Sequence, residues 1–418
     1  MGYTENLIDF IGKSTDCYHA VKTAKDRLDE NGFTELFEGD KWDVQSGGKY
    51  YVIRNSSSII AFEMPKKDFG AFMICASHTD SPSFKLKPDF EINADGCIKL
   101  SVEGYGGMIM SSWLDRPLSI SGRIVTAKDG KLETKLVNID RDLLVIPSLA
   151  IHMSRDINKG YEFNIRRDMC PIASEKNGRI EDIIAENVGV DKEEILGFDL
   201  SLYNRLRGTV LGADGEYFSA PRIDDLQCMY STLEGFLNSE SDDNVTVFAA
   251  FDNEEVGSGT KQGAKSSFLR DVLERICDNS ETYKRAVAKS FMLSCDNAHA
   301  VHPNFADKSD GTNRVYMNGG IGIKYNANQR YTTDAVSEAV VKYVCKNAGV
   351  PYQMYANRSD IPGGSTLGNL SNEKVSLNTA DIGLAQLAMH SSYETAGSRD
   401  TEYMVKMIKE FYKTEIVL

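Results

Sequence analysis

No two cysteines of this chain stand at the C-x-x-C spacing of a thiolate metal site or a redox pair. The eight lie apart, at 17, 75, 97, 170, 228, 277, 295 and 345. Cys75, Cys228 and Cys295 fall inside apolar runs, where a cysteine acts as a small core hydrophobe. Dispersed thiols of this kind imply a reducing compartment. Positive charge is also short. Against 61 aspartates and glutamates stand 47 lysines and arginines, for a formal charge of −14. That balance argues against nucleic acid and an anionic membrane surface as partners. No apolar run approaches the roughly 20 residues of a membrane span. The opening Met1-Gly2-Tyr3-Thr4-Glu5-Asn6 lacks the basic-then-apolar pattern of a signal peptide, and Asn6 stands where a myristoylation pattern needs Ser or Thr. A cytoplasmic protein is expected, with no internal repeat and no low-complexity segment.

What is present is an ordinary globular balance, 41% hydrophobic and 26% charged, over 418 residues. That length is too great for one core and implies two domains. The chain is organised around Val245-Thr246-Val247-Phe248-Ala249-Ala250-Phe251, which reads as a fully buried strand. Asp252-Asn253-Glu254-Glu255-Val256-Gly257-Ser258 follows at once. In an open α/β sheet, ligands bind beyond the carboxyl ends of the strands. Two carboxylates there suit chemistry, one to hold a metal and the other to move a proton. Taken alone, the pair reads equally well as a solvated helix face.

Other stretches repeat the pattern. Residues 4–12 and 15–30 read as helices, the second with Ser14 or Thr15 as N-cap and Asn31-Gly32 as its stop. His19, with no carboxylate cluster around it, reads as a packing residue. Residues 50–53 and 58–62 read as paired strands. The buried strand 69–77 ends at His78-Thr79-Asp80, where a carboxylate is placed to orient the imidazole. From about 86 to 215 the segments shorten and alternate, punctuated by turns such as Asp129-Gly130. They indicate a small antiparallel β domain with a helical insert near 179–197. Asp224 opens a helix running through Phe236, where an N-cap role is the structural alternative. A helix is expected over 263–276. The buried strand 290–295 ends in Asp296-Asn297-Ala298-His299-Ala300-Val301-His302-Pro303-Asn304. A helix over 332–347 and a strand over 351–357 precede a loop containing Pro362, Gly363, Gly364, Ser365 and Thr366, suited to close approach by a ligand. His390 follows the apolar run 384–389, and a last helix extends to about 413.

The polar residues at these strand ends are His78, Asp80, Asp224, Glu254, Glu255, Asp296 and His390. Two imidazoles and several carboxylates suit borderline divalent metals, Zn²⁺ first, then Mn²⁺ or Co²⁺. The absence of cysteine from the set argues against a structural zinc site. A carboxylate such as Asp224 can give one oxygen to each of two metals, which leaves a glutamate as general base.

His78-Thr79-Asp80, Asp252 through Ser258, Asp296 through Asn304 and Ala388-Met389-His390-Ser391 resemble the motifs of the M18 metallo-aminopeptidases, the aspartyl aminopeptidase and aminopeptidase I family. The resemblance covers nearly the whole chain, including Tyr18-His19-Ala20-Val21 and Asn328-Gln329-Arg330-Tyr331, and is to a short, bacterial type. It implies an α/β fold with a central mixed sheet flanked by helices, of the zinc exopeptidase kind. A β-rich dimerisation domain at 86–215 would be inserted between catalytic segments 1–85 and 216–418.

By position, the resemblance makes His78 a ligand, Asp224 the bridge between two Zn²⁺ ions, and Glu254 the general base. Glu255, Asp296 and His390 complete the ligand set, with Asp80 behind His78. Asp224-Asp225 departs from the family's usual Asp-Asn, so Asp225 remains a rival for the bridge. His299 and His302 resemble histidines that stand near the family's metals. Lys324 resembles a residue of the substrate pocket, and Gly363, Gly364 and Ser365 a wall holding the substrate's N-terminal residue. Ser148-Leu149-Ala150-Ile151-His152 resembles the segment that sends a histidine into a neighbouring subunit's site, whereas its apolar setting alone reads as core.

The implied protein is a dinuclear zinc aminopeptidase acting on peptides with a free N-terminus, and a homodimer building a homododecamer. Relatives favour acidic N-terminal residues, some neutral ones. Lys324, Arg330 and Arg358 are the candidates to meet a substrate carboxylate. The rival readings are another di-metal amidohydrolase, such as a deacylase or amidase, and a catalytically silent assembly or binding relative. The intact Glu254 argues against the silent relative.

Overall fold

The computed structural model describes residues 2–128, 130–175, 178–239, 243–361 and 363–416; Asp129 and Pro362, singled out above, lie outside them. The largest sheet has nine strands, in the order Thr34–Glu35, Lys49–Arg54, Ser58–Glu63, Val245–Phe251, Phe72–His78, Phe291–Cys295, Asn378–Gly383, Ile321–Tyr325 and Tyr352–Ala356. It is mixed. Val245–Phe251 runs parallel to Phe72–His78 and antiparallel to Ser58–Glu63. Phe291–Cys295 runs parallel to both of its neighbours.

Its central strands are apolar at nearly every position because both of their faces are covered. Ala61, Met73, Cys75, Phe248 and Ala250 face a core shared with helices Tyr3–Lys13, Cys17–Glu30, Ile223–Leu237 and Asp400–Lys413. The alternate positions Ile60, Phe62, Phe72, Ile74, Val247, Ala249 and Phe251 face a second core with helix Phe268–Ile276.

Between Ser83 and Asn204 the chain builds a separate antiparallel sheet of six strands, ordered Lys131–Asn138, Leu118–Lys128, Ile195–Asn204, Ser83–Ala94, Cys97–Tyr105 and Ile172–Ser174. It has its own core of Phe84, Leu100, Leu118, Ile120, Leu200 and Leu202, completed by Ile180 and Ile184 of helix Ile180–Val188. A five-stranded sheet then joins Thr209–Leu211, Tyr217–Ala220, Glu394–Gly397, Ala385–Leu387 and Ala298–His299. It braces the segment that carries His390. No helix among the described residues is long and apolar enough to cross a membrane.

Three local expectations are corrected. The second helix is capped by Asp16 rather than Ser14 or Thr15. The Asp16 carboxylate accepts the N–H groups of Tyr18 and His19 at 2.8 and 3.0 Å, and its other oxygen holds His19 Nδ1 at 2.8 Å. The helix expected from 263 begins at Phe268, because the N–H groups of Gly263 and Ser266 bond the carbonyls of Thr260 and Gly263 in tight turns and no helical ladder forms there. Asp224 is no N-cap. It and Asp225 break the first turn of helix Ile223–Leu237 with non-helical backbone angles.

Candidate metal centre

The strand register assembles the centre. Phe251 pairs with His78, and Ser294 pairs with Ala76, so three chain segments leave the sheet at one carboxyl edge. Past Phe251 the backbone turns at Asn253 in the left-handed region, φ 64°, and enters a short 3₁₀ turn, Glu254–Val256. The Asp80 carboxylate fixes that turn by accepting the main-chain N–H groups of Glu254 at 3.1 Å and Glu255 at 3.2 Å.

His78 is buried. Its Nδ1 donates to the main-chain carbonyl of Asp80 at 3.0 Å, with the Asp80 carboxylate farther away at 3.4 Å. Its Nε2 lies 3.3 Å from Asp224 Oδ1 and 3.9 Å from Asp296 Oδ1. The other oxygen of Asp224 lies 3.6 Å from His390 Nε2, which in turn is 3.3 Å from Glu255 Oε2. His390 Nδ1 donates to the Gly107 carbonyl. Asp225 accepts the main-chain N–H of His78 at 3.0 Å. Lys324 Nζ stands 3.4 Å from Asp296 Oδ2.

Negative charge is in excess here. Burial, and after it the charges of Asp296, Asp80 and Asp224, push Glu254 up to about 8. Burial likewise raises Glu255 and Asp225 well above the carboxylate range. Asp224 goes the other way. Burial would raise it, but the neighbouring imidazoles of His390 and His78 outweigh burial and hold it low. Asp224 Oδ1, Asp225 Oδ1 and Glu255 Oε1 are buried and accept no hydrogen bond. A buried carboxylate oxygen without a partner is costly.

Ligand atoms of His78, Asp224, Asp225 and Asp296 lie within 4.8 Å of one another, as do those of Asp224, Glu255 and His390, and of His78, Glu254 and Glu255. Oxygen and imidazole donors with bare buried oxygens fit a divalent cation of the zinc or manganese kind.

Other expected residues fall in three places. His299, His302, Gly363 and Gly364 line one cleft together with Met389, beside His390; Ser365 follows in the same loop and is half-buried. Lys324 is buried against Asp296 rather than open to the cleft. Arg358 is paired with Asp360, and Arg330 donates to the Gly363 carbonyl at 2.9 Å. His152 joins none of the ligand groups. It sits on an exposed turn flanked by Leu149, Ile151 and Met153, which are 54%, 48% and 77% exposed.

Two contributors were missed. Glu394 accepts the main-chain N–H groups of Asp224 at 3.1 Å and His390 at 2.8 Å, tying two ligand candidates together. Its position four residues after His390 was the available signal. Tyr105 donates to Asp80 at 2.6 Å, and nothing in the sequence marks it.

A family model described as aminopeptidase I zinc metalloprotease (M18) matches residues 10–412. A probable M18 family aminopeptidase 2 of Clostridium novyi (strain NT) is 44% identical over 425 residues, covering 98% of this chain and 98% of its own length. Among solved structures, a chain of the Ape4 and Nbr1 complex superposes with a TM-score of 0.95 at 34% identity, over 98% of this chain and 85% of that one. The S. cerevisiae mApe1 dodecamer gives a TM-score of 0.86 at 29% identity, over 98% of this chain and 96% of its own. A match running from Phe10 to Tyr412 leaves neither the main sheet nor the inserted one outside it, and the chain belongs to the M18 family of metallo-aminopeptidases.

Proposed function

We propose that this chain removes the N-terminal residue from peptides with a free α-amine, holding two Zn²⁺ ions per subunit, with Mn²⁺ or Co²⁺ as substitutes. The observation that carries the reading is Asp224, whose two oxygens face His78 on one side and His390 on the other. One ion would be held by His78, Asp224 and Asp296, and the second by Asp224, Glu255 and His390. When bound, the ions supply Lewis acidity to a carbonyl and acidify a water.

Glu254 is then left without a metal to hold and serves as general base, taking a proton from the water and passing it to the leaving amine. Lys324 holds Asp296 in place. The cleft beside His390 receives the N-terminal residue. Lys308 and Arg314 line it beside Asp310, with Arg358 already held by Asp360, and the two cations support a preference for Asp or Glu there.

The exposed apolar turn around His152 supports its insertion into a neighbouring subunit's site. The sheet within 86–215 would then be the dimerisation unit, and such dimers would build a dodecamer like that of mApe1, in the cytoplasm.

The test is a panel of dipeptides and aminoacyl nitroanilides with varied N-terminal residues, run with Zn²⁺, Mn²⁺ and Co²⁺ beside N-acyl amino acids. Turnover of free N-termini, fastest for Asp and Glu, is expected. Turnover of the N-acyl compounds alone would identify a deacylase, and no turnover with any metal a silent relative.

A further inference from the structure

The inserted sheet reaches the metal centre through three consecutive residues. Tyr105, at the end of strand Cys97–Tyr105, pairs across the ladder with Ser83, which brings its phenol back beside Asp80. The hydroxyl donates to Asp80 Oδ2 at 2.6 Å and accepts from Asn253 Nδ2 at 2.8 Å. Asp80 holds the main-chain N–H groups of Glu254 and Glu255. Asn253 is locked in turn, its Oδ1 accepting from Thr260 Oγ1 at 2.8 Å and Gln262 Nε2 at 2.7 Å.

Gly106 comes next, with φ +72°. A Cβ there would stand 3.2 Å from Glu255 Cβ, so the backbone passes close against the glutamate in a conformation that favours glycine. Gly107 then offers its carbonyl to His390 Nδ1. Ile109, just beyond, donates its N–H to the His390 carbonyl at 3.0 Å. Residues of the inserted unit therefore orient the glutamate pair and His390 while ligating nothing themselves. Groups that fix a ligand from behind commonly govern metal affinity and activity by about 10–100-fold.

We propose that Tyr105 is a positioning residue: its hydroxyl sets the Asp80 carboxylate, and through it the backbone of Glu254 and Glu255, so that docking of the inserted sheet fixes the geometry of the metal centre. This rests on the proposed roles of Glu254 and Glu255. Burial, with the neighbouring carboxylates of Asp80 and Asp252, pushes the phenol far above its usual range, so it remains a neutral O–H donor throughout the working pH.

The matched control is Tyr18, which lines the same cavity between the units. Its hydroxyl also bonds a carboxylate, Asp199 Oδ2 at 3.1 Å, but Asp199 touches neither glutamate. Tyr105→Phe and Tyr18→Phe are compared with the full-length parent in two measurements. One is Zn²⁺ affinity by competition with a chromophoric chelator; the other is kcat and KM on an unblocked dipeptide at saturating Zn²⁺. For Tyr105→Phe, Zn²⁺ affinity or kcat is expected to fall about 10–100-fold with KM nearly unchanged, while Tyr18→Phe stays near the parent in both.

Parent-like Zn²⁺ affinity and kcat in Tyr105→Phe, or equal losses in Tyr18→Phe, would overturn the proposal. Should Tyr105→Phe fail to fold, Gly106→Ala, which presses on Glu255 from the same strand end, is read by the same two measurements and the same criteria. The Zn²⁺ titration reports on Tyr105 even if the parent cleaves no peptide, so failure of the proposed activity and failure of this role are told apart.

Discussion

His78 stands directly opposite Phe251 across two parallel strands. That pairing explains why a histidine and a glutamate pair about 175 residues apart in sequence belong to one centre. Two residues beyond His78 comes Asp80, three beyond Phe251 comes Glu254, and the two meet through a 3.1 Å hydrogen bond. On the far side of the His78 strand, Phe291–Cys295 lies in parallel register and delivers Asp296 to the same edge.

Asp224 and Asp225 make different contacts and should respond differently to substitution. Asp224→Asn removes the negative charge that faces both histidines, so occupancy of both ions is expected to fall. Asp225→Ala should keep both ions and lower thermal stability instead, because it removes the acceptor that ties down the main-chain N–H of His78. Metal content after dialysis, by mass spectrometry, checks this. The reverse pattern would make Asp225 the bridge.

The parts of this arrangement legible in the sequence were those with a sharp local signature. Val245–Phe251 is uniformly apolar and stops at acidic residues, and the strand before His78 stops in the same way, so strand ends and ligand candidates could be read together. The cap of the second helix could not be read, because Ser14, Thr15 and Asp16 all have capping side chains and the helix start is set by packing of Ala20 and Val21. The Tyr105 and Gly107 contacts join two separate sheets, and neither periodicity nor turn chemistry encodes such a meeting. The loss of helical geometry at Asp224 was equally invisible, since its neighbours have ordinary helix-forming spacing.

His152 is expected to act across a subunit boundary. His152→Ala and Glu254→Ala should each be nearly inactive alone. Co-expressed, they should form mixed dimers about half the time, with one competent site in two, so that about a quarter of sites recover activity. Mixed dimers without recovered activity would place His152 outside the partner's site.

Asp400 supplies a pH test away from the metal centre. Its buried carboxylate accepts the N–H groups of Asn318 and Gly320 at 2.5 and 2.9 Å. Burial, only partly offset by those bonds, raises it to about 7. A carboxyl with a raised folded-state pKa binds its proton more tightly folded than unfolded. Its contribution to stability is therefore full below the unfolded value near 4 and is lost as pH rises towards 7, by about 4 kcal/mol at most. Urea midpoints of the parent should thus fall relative to Asp400→Asn between pH 4.5 and 8. Parallel pH profiles for the two proteins would contradict the assignment.

The most direct test of the account is Glu254→Gln, with metal content and turnover of an unblocked dipeptide measured on the same preparation. The variant is expected to retain two Zn²⁺ per chain while kcat falls by about 10²–10⁴-fold. Parent-like turnover with full metal content would contradict Glu254 as the base, and loss of an ion would make it a ligand instead.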